Sequence, residues 1–142
     1  MADANVEATE RLARLVARLS DADLARDLGA GWTVTTALGH LAFWDRQERL
    51  ALAAWPDRVL TGEEVNAALE PLLTALEPRT AARLAVESAR DLDGELEALS
   101  EPTRAEIVSG GFGYIVERAA HRMEHLAQIE AVVDEPGVAK TG

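Results

Sequence analysis

The chain contains no cysteine, so it can form no disulfide and has no thiol nucleophile of its own. Thiol chemistry would need a thiol from outside. Lysine is almost missing too: Lys140 is the only one, and the other basic residues are arginines. Lys and Arg number 14 against 25 acids, a net charge of −11. That sign argues against nucleic acid or an anionic membrane as a partner. No apolar run approaches the roughly 18 residues of a membrane span. The first residues, Met1-Ala-Asp-Ala-Asn-Val-Glu7, are polar and acidic, so no signal peptide is expected and the cytoplasm is the default location. Histidine is scarce as well, with three in the chain.

What is present suffices for a packed core. Apolar residues make up 48% of 142 residues, which predicts one domain over 1–142, with an ordered core of about 5–133 and a tail over 134–142. The apolar spacing is helical. Asp3 or Asn5 is expected to cap a first helix with Val6, Leu12, Leu15, Val16 and Leu19 on one side. Ser20-Asp-Ala-Asp23 has the shape of a capping box for a short turn, and Gly29-Ala-Gly31 is a break. Thr33 is the expected cap of a second long helix, Val34–Ala54, about 31 Å long at 1.5 Å per residue. Trp55-Pro56 stops it.

Residues 57–79 read as a long connection. Thr61-Gly-Glu-Glu64 can start a helix through Ala75 across Pro71, with Pro78 ending it. Such a connection allows a crossover, so the second and third long helices need not be antiparallel neighbours. Thr80 is expected to cap a third helix, Ala81–Leu99. Ser100–Thr103 reads as a turn, and Arg104–Val108 is ambiguous. A fourth helix is expected from about Phe112 to Val133, with Ile115, Ala119, Leu126, Ile129 and Val133 as its core stripe. The expected fold is an all-α four-helix bundle with a long crossover between its second and third helices.

His121-Arg-Met-Glu-His125 puts two imidazoles four apart on one helical face, about 5–6 Å between Cβ atoms. That spacing can chelate one divalent ion. His40 lies at the border of the apolar face of the second helix. Three imidazoles from two helices would suit zinc, nickel, copper or iron and leave coordination positions open. Asp45 sits on an apolar face, where it needs a partner. It either orients a ligand imidazole or pairs with Arg118 or Arg122. Arg118, on the histidine stripe, can meet an anionic substrate or form an ion pair. Glu124 completes the H-x-x-E-H pattern of inverted zinc peptidases, although a surface role is the plainer reading. Trp32, Trp44 and Tyr114 are candidates for a pocket wall or for core. Gln128 either supports a ligand histidine or packs between helices.

Gly31-Trp-Thr33 followed by His40-Leu-Ala-Phe-Trp-Asp45 resembles the second-helix motif of the DinB/YfiT-like superfamily. His121-x-x-x-His125-x-x-Gln128 resembles its last-helix motif, and Val65-Asn66 is similar to the segment between them. The nearest branch by these residues is the metal-binding domain of mycothiol-dependent maleylpyruvate isomerases. The resemblance spans roughly residues 5–133. It implies a four-helix bundle with a zinc- or nickel-type ion on His40, His121 and His125. It also implies an isomerase or S-transferase using a low-molecular-weight thiol on a small electrophile, with hydrolases in other branches and homodimers common. The isomerases of that branch carry a further C-terminal domain that helps build the active site, and these 142 residues are not expected to hold one.

The expectation is therefore a metal-dependent enzyme that activates an external thiol, with Asp45, Arg118 and Glu124 as candidate catalytic residues. The rivals are a hydrolase on the same ligands and a non-catalytic bundle with a structural metal. A carboxylate completing the ion's ligand set would favour the structural metal.

Overall fold

The structure is a computed structural model and describes residues 2–56 and 63–135. Its long helices are α1 (Ala2–Arg18), α3 (Val34–Ala54), α5 (Pro78–Glu97) and α7 (Ala119–Val133). Shorter elements join them: α2 (Asp21–Leu24), a small antiparallel hairpin of β1 (Asp27–Gly29) and β2 (Trp32–Thr33), α4 (Glu63–Thr74), α6 (Glu101–Ser109) and a 3₁₀ turn over Gly113–Ile115. The fold is all-α in class. Among the described residues no helix is long and apolar enough to cross a membrane.

Contacts between the long helices set their directions. Asn5 meets Val116, Arg11 meets Glu130 and Arg18 meets Asp134, so α1 and α7 run the same way. Arg46 meets Ser88 and Arg49 meets Glu95, so α3 and α5 are parallel as well. Thr9 meets Asp93, and Arg79 reaches the Leu19 carbonyl, so α1 and α5 are opposed. The segment between α3 and α5 must therefore return the length of the bundle, which is the long crossover. Its α4 and the turn that follows lie against α3 at Gly39, where a Cβ would come within 3.2 Å of Leu76 Cδ1 and 3.3 Å of Leu73 Cδ2. Trp44 Nε1 donates to Asn66 Oδ1 at 2.6 Å and ties the other end of α4 to α3.

Local chemistry explains most helix ends. Thr33 caps α3, as the sequence suggested, and Thr36 completes a reciprocal box with it. Ser20 and Asp23 do the same for α2. Other expectations need correction. Pro78 opens α5 rather than ending the preceding segment, because a first-turn residue has no use for its N–H. The cap is the Glu77 carboxylate, which accepts from the Arg79 and Thr80 N–H groups, so Thr80 lies inside the helix. Ser100 caps α6 with Pro102 in its first turn, so 100–103 is a helix start. The last helix begins at Ala119, not Phe112, because Gly111 at φ +86° and the 3₁₀ turn interrupt it. Asn5 does not cap α1. It is buried, accepts from the Ala119 N–H at 2.8 Å and donates to the Val116 carbonyl at 2.8 Å, holding the entrance to α7. Val6 is exposed rather than core. The proposed helix start at Thr61-Gly62 and the tail beyond 135 lie outside the described residues.

Two apolar clusters fill the bundle. One contains Leu15, Leu38, Ala85 and Leu126; the other contains Ala51, Leu96, Ile107 and Ile115. Buried polar side chains from α1, α3, α5 and α7 accompany them, including Thr9, Asp45 and Arg122. His40 and His125 belong to this polar set, with His121 half-buried beside them.

Candidate metal centre

His40 projects from α3, and His121 and His125 from α7. One ring nitrogen from each lies within 4.8 Å of the others, a set that could hold a metal ion. His40 Nε2 and His121 Nε2 are 3.1 Å apart. Two nitrogens on a tetrahedral zinc are separated by about 3.3 Å, given zinc–nitrogen bonds of roughly 2.0–2.1 Å. The His40–His121 pair is therefore spaced as two ligands of one divalent ion would be, with His125 within reach of the same point. No carboxylate belongs to the cluster among the described residues. Glu124 is exposed and outside it.

Each imidazole is held by a different neighbour. The hairpin turn carries Trp32 over the cluster, where its ring stacks on His125 at 5.9 Å and tilts against His40 at 4.9 Å. Gln128 Oε1 faces His125 Nδ1 at 3.0 Å. A carbonyl oxygen only accepts, so Nδ1 carries the proton and Nε2 keeps its lone pair for a metal. Burial is the main reason that all three pKa values fall. His40 drops to about 4, helped by the charges of His125 and Arg118. His121 drops to about 3, helped first by Arg118. His125 is lowered less directly, because Gln128 and Glu124 pull the other way. Neutral imidazole is the ligand form.

Asp45 has no exposed surface and accepts from two arginines, Arg118 Nε at 2.9 Å and Arg122 Nε at 3.1 Å. Both pairings open to it in the sequence are made, and no imidazole contacts it directly. Arg118 extends the chain by donating from Nη2 to His121 Nδ1 at 3.1 Å and from Nη1 to the Tyr114 carbonyl. Arg122 is fully buried and continues to Asp93 at 2.8 Å and Thr9 at 2.9 Å. Asp45 thus orients His121 at one remove, through Arg118.

A cavity of about 280 Å³ opens beside the cluster, lined by His40, His121, Arg118, Trp44, Glu48, Asn66 and Tyr114. Trp44 and Tyr114 wall it, while Trp32 faces a second hollow behind His125. Glu48 escaped the sequence reading, because a mid-helix glutamate normally marks a solvated face. Its spacing from His40 and Trp44, at i+8 and i+4, was the available signal.

Residues 6–134 match the family model of the mycothiol maleylpyruvate isomerase N-terminal domain. The chain belongs to that family. No curated protein and no solved structure matches it. Membership in the mycothiol maleylpyruvate isomerase N-terminal domain family agrees with the all-α bundle and gives the three-histidine cluster a metal-binding context.

Proposed function

We propose that His40, His121 and His125 bind a divalent ion, zinc or nickel by donor type, and that the protein is a metal-dependent enzyme. Its reaction would be S-transfer to a small electrophile, or isomerisation of one, using a low-molecular-weight thiol of the mycothiol class. One observation carries the reading: three imidazoles kept neutral by burial converge, two of them, His40 and His121, at the wall of a cavity, with no carboxylate in the set among the described residues. When bound, the ion supplies a Lewis acid that lowers the pKa of a coordinated thiol.

The chain's own side chains do the rest. Gln128 fixes the tautomer of His125. Arg118 stands at the cavity wall and donates from Nη2 to His121 Nδ1, so it fixes that ring there. Trp44 and Tyr114 supply apolar walls that limit water. The chain has no cysteine, which agrees with a thiol that enters from solution. A structural clamp is disfavoured by the positions of the two candidate carboxylates, since Asp45 is committed to arginines and Glu124 is exposed. A cytoplasmic homodimer is the form we expect.

The test is metal analysis of protein purified without a histidine tag, for wild type and His121→Ala, followed by cobalt loading. Metal near one equivalent in wild type and little in the variant supports the site, and equal contents remove it. Mercaptoethanol should then produce a sulfur-to-cobalt absorption band. Ester hydrolysis without that band would favour a hydrolase on the same ligands.

A further inference from the structure

Glu48 is a buried acid that the chemistry above leaves without a task. It stands on α3 two turns beyond His40, in line with Trp44, and so about 12 Å farther along the axis. It is 2% exposed, yet it lines the cavity that His40 and His121 line. Its Oε2 has no hydrogen-bond partner among the described residues. Buried side-chain oxygens are paired in the large majority of cases, so the exception needs an explanation.

The neighbouring charges do not provide one. Arg118 directs its Nε to Asp45, its Nη1 to the Tyr114 carbonyl and its Nη2 to His121. Arg118 and Arg122 are offset by Asp45 and Asp93. Burial raises the Glu48 carboxyl to about 7, with Asp45 adding to the rise and Arg118 opposing it. Glu48 lines the cavity while its Oε2 lacks a donor, so an occupant that brings one satisfies this oxygen once the carboxyl turns toward the cavity.

We propose that Glu48 is a specificity residue whose Oε2 accepts a hydrogen bond from a hydroxyl or ammonium group on the bound thiol, at the end remote from sulfur. The ligand class is then a polar thiol: sulfur at the histidines, an apolar stem between Trp44 and Tyr114, and a donor group at Glu48. An alkyl thiol of equal length leaves Oε2 dry and is bound less well. This rests on the thiol reading of the cavity, so the experiment reports the two separately.

The probes are mercaptohexanol and hexanethiol on cobalt-loaded protein. The cobalt–sulfur band reads the metal end. The infrared carboxyl band of Glu48, taken as wild type minus Glu48→Gln, reads the other end. One added hydrogen bond corresponds to about a three- to tenfold preference for mercaptohexanol. Glu48→Leu should bring that ratio near one, through loss of mercaptohexanol affinity. The carboxyl band of wild type should shift with mercaptohexanol alone. A cobalt–sulfur band with no preference and no carboxyl shift overturns the proposal. A carboxyl shift without the cobalt–sulfur band keeps the Glu48 contact and removes the thiol reading. Neither signal overturns both.

Discussion

Arg118 donates to the Nδ1 of His121 across 3.1 Å, and a guanidinium has no lone pair to offer in return. Nδ1 must accept, so the His121 proton sits on Nε2, the atom facing His40 Nε2. A metal on that Nε2 needs the proton moved to Nδ1, where it would point at Arg118. The ion and the arginine therefore compete for one ring. Arg118→Gln should tighten zinc binding by about tenfold, the equivalent of one charge-assisted hydrogen bond no longer broken on loading. Competition against a chromophoric chelator measures it. Weaker zinc binding in the variant would mean that Arg118 supports the ligand instead of opposing the ion.

The same arginine depends on Asp45, whose two oxygens serve Arg118 and Arg122 with no solvent access. Asp45→Asn keeps the shape and removes the charge, leaving two guanidinium groups sharing a neutral amide. Breaking a buried pair in this way costs about 3–5 kcal/mol. Urea unfolding of metal-free protein should show that loss, whereas exposed pairs such as Arg83–Glu87 should contribute under about 1 kcal/mol. A loss below about 1 kcal/mol for Asp45→Asn would show that the network is not an anchor of the bundle.

These residues also mark what the sequence could and could not convey. The α3 boundaries were legible because both signals are local: a threonine cap before Val34 and a proline after Trp55. The start of α7 was not, because its cap is Asn5, at a sequence separation of 114. Helical spacing assigned His121 and His125 to one face and His40 to the border of another. Whether those faces meet depends on α3 and α7 crossing at that level, which no periodicity encodes. The crossover was readable as a permitted length, and the parallel course of α3 and α5 emerged only from cross-helix pairs such as Arg46–Ser88. Asp45 stood out as a charge on an apolar face. Glu48 did not, since its burial depends on a tertiary setting that brings Asn66 and Tyr114, distant in sequence, to the same cavity.

Gln128 offers a cleaner handle on the centre than any ligand substitution. It touches His125 Nδ1 at 3.0 Å and is itself exposed, so its removal should leave stability within about 0.5 kcal/mol. Outer partners of metal-bound histidines are worth about 10–100-fold in affinity. Gln128→Ala should weaken zinc binding by about that factor, while Gln128→Glu, a stronger acceptor, should restore or exceed the wild-type value. An unchanged zinc affinity in Gln128→Ala would separate this glutamine from the centre.

Glu48 should also leave a signature in stability against pH. Its folded pKa is raised from 4.5 to about 7 by burial, so the folded state binds more protons than the unfolded chain between those values. Stability must then fall as pH rises through that window, because the folded state is left holding a dry carboxylate. His40 and His121 act in the opposite sense: their folded values of about 4 and about 3 lie below the ordinary 6.5, so their contribution is lost as pH falls below 6.5. Both histidines remain in Glu48→Gln, and the difference between the two proteins isolates the glutamate. The variant should be more stable than wild type at pH 8 by on the order of 2 kcal/mol, with the gap closing as pH approaches 4.5. Urea midpoints of metal-free protein across that range measure it. A gap that stays constant with pH would mean that the carboxyl is already solvated or paired, and that burial does not hold it near neutrality.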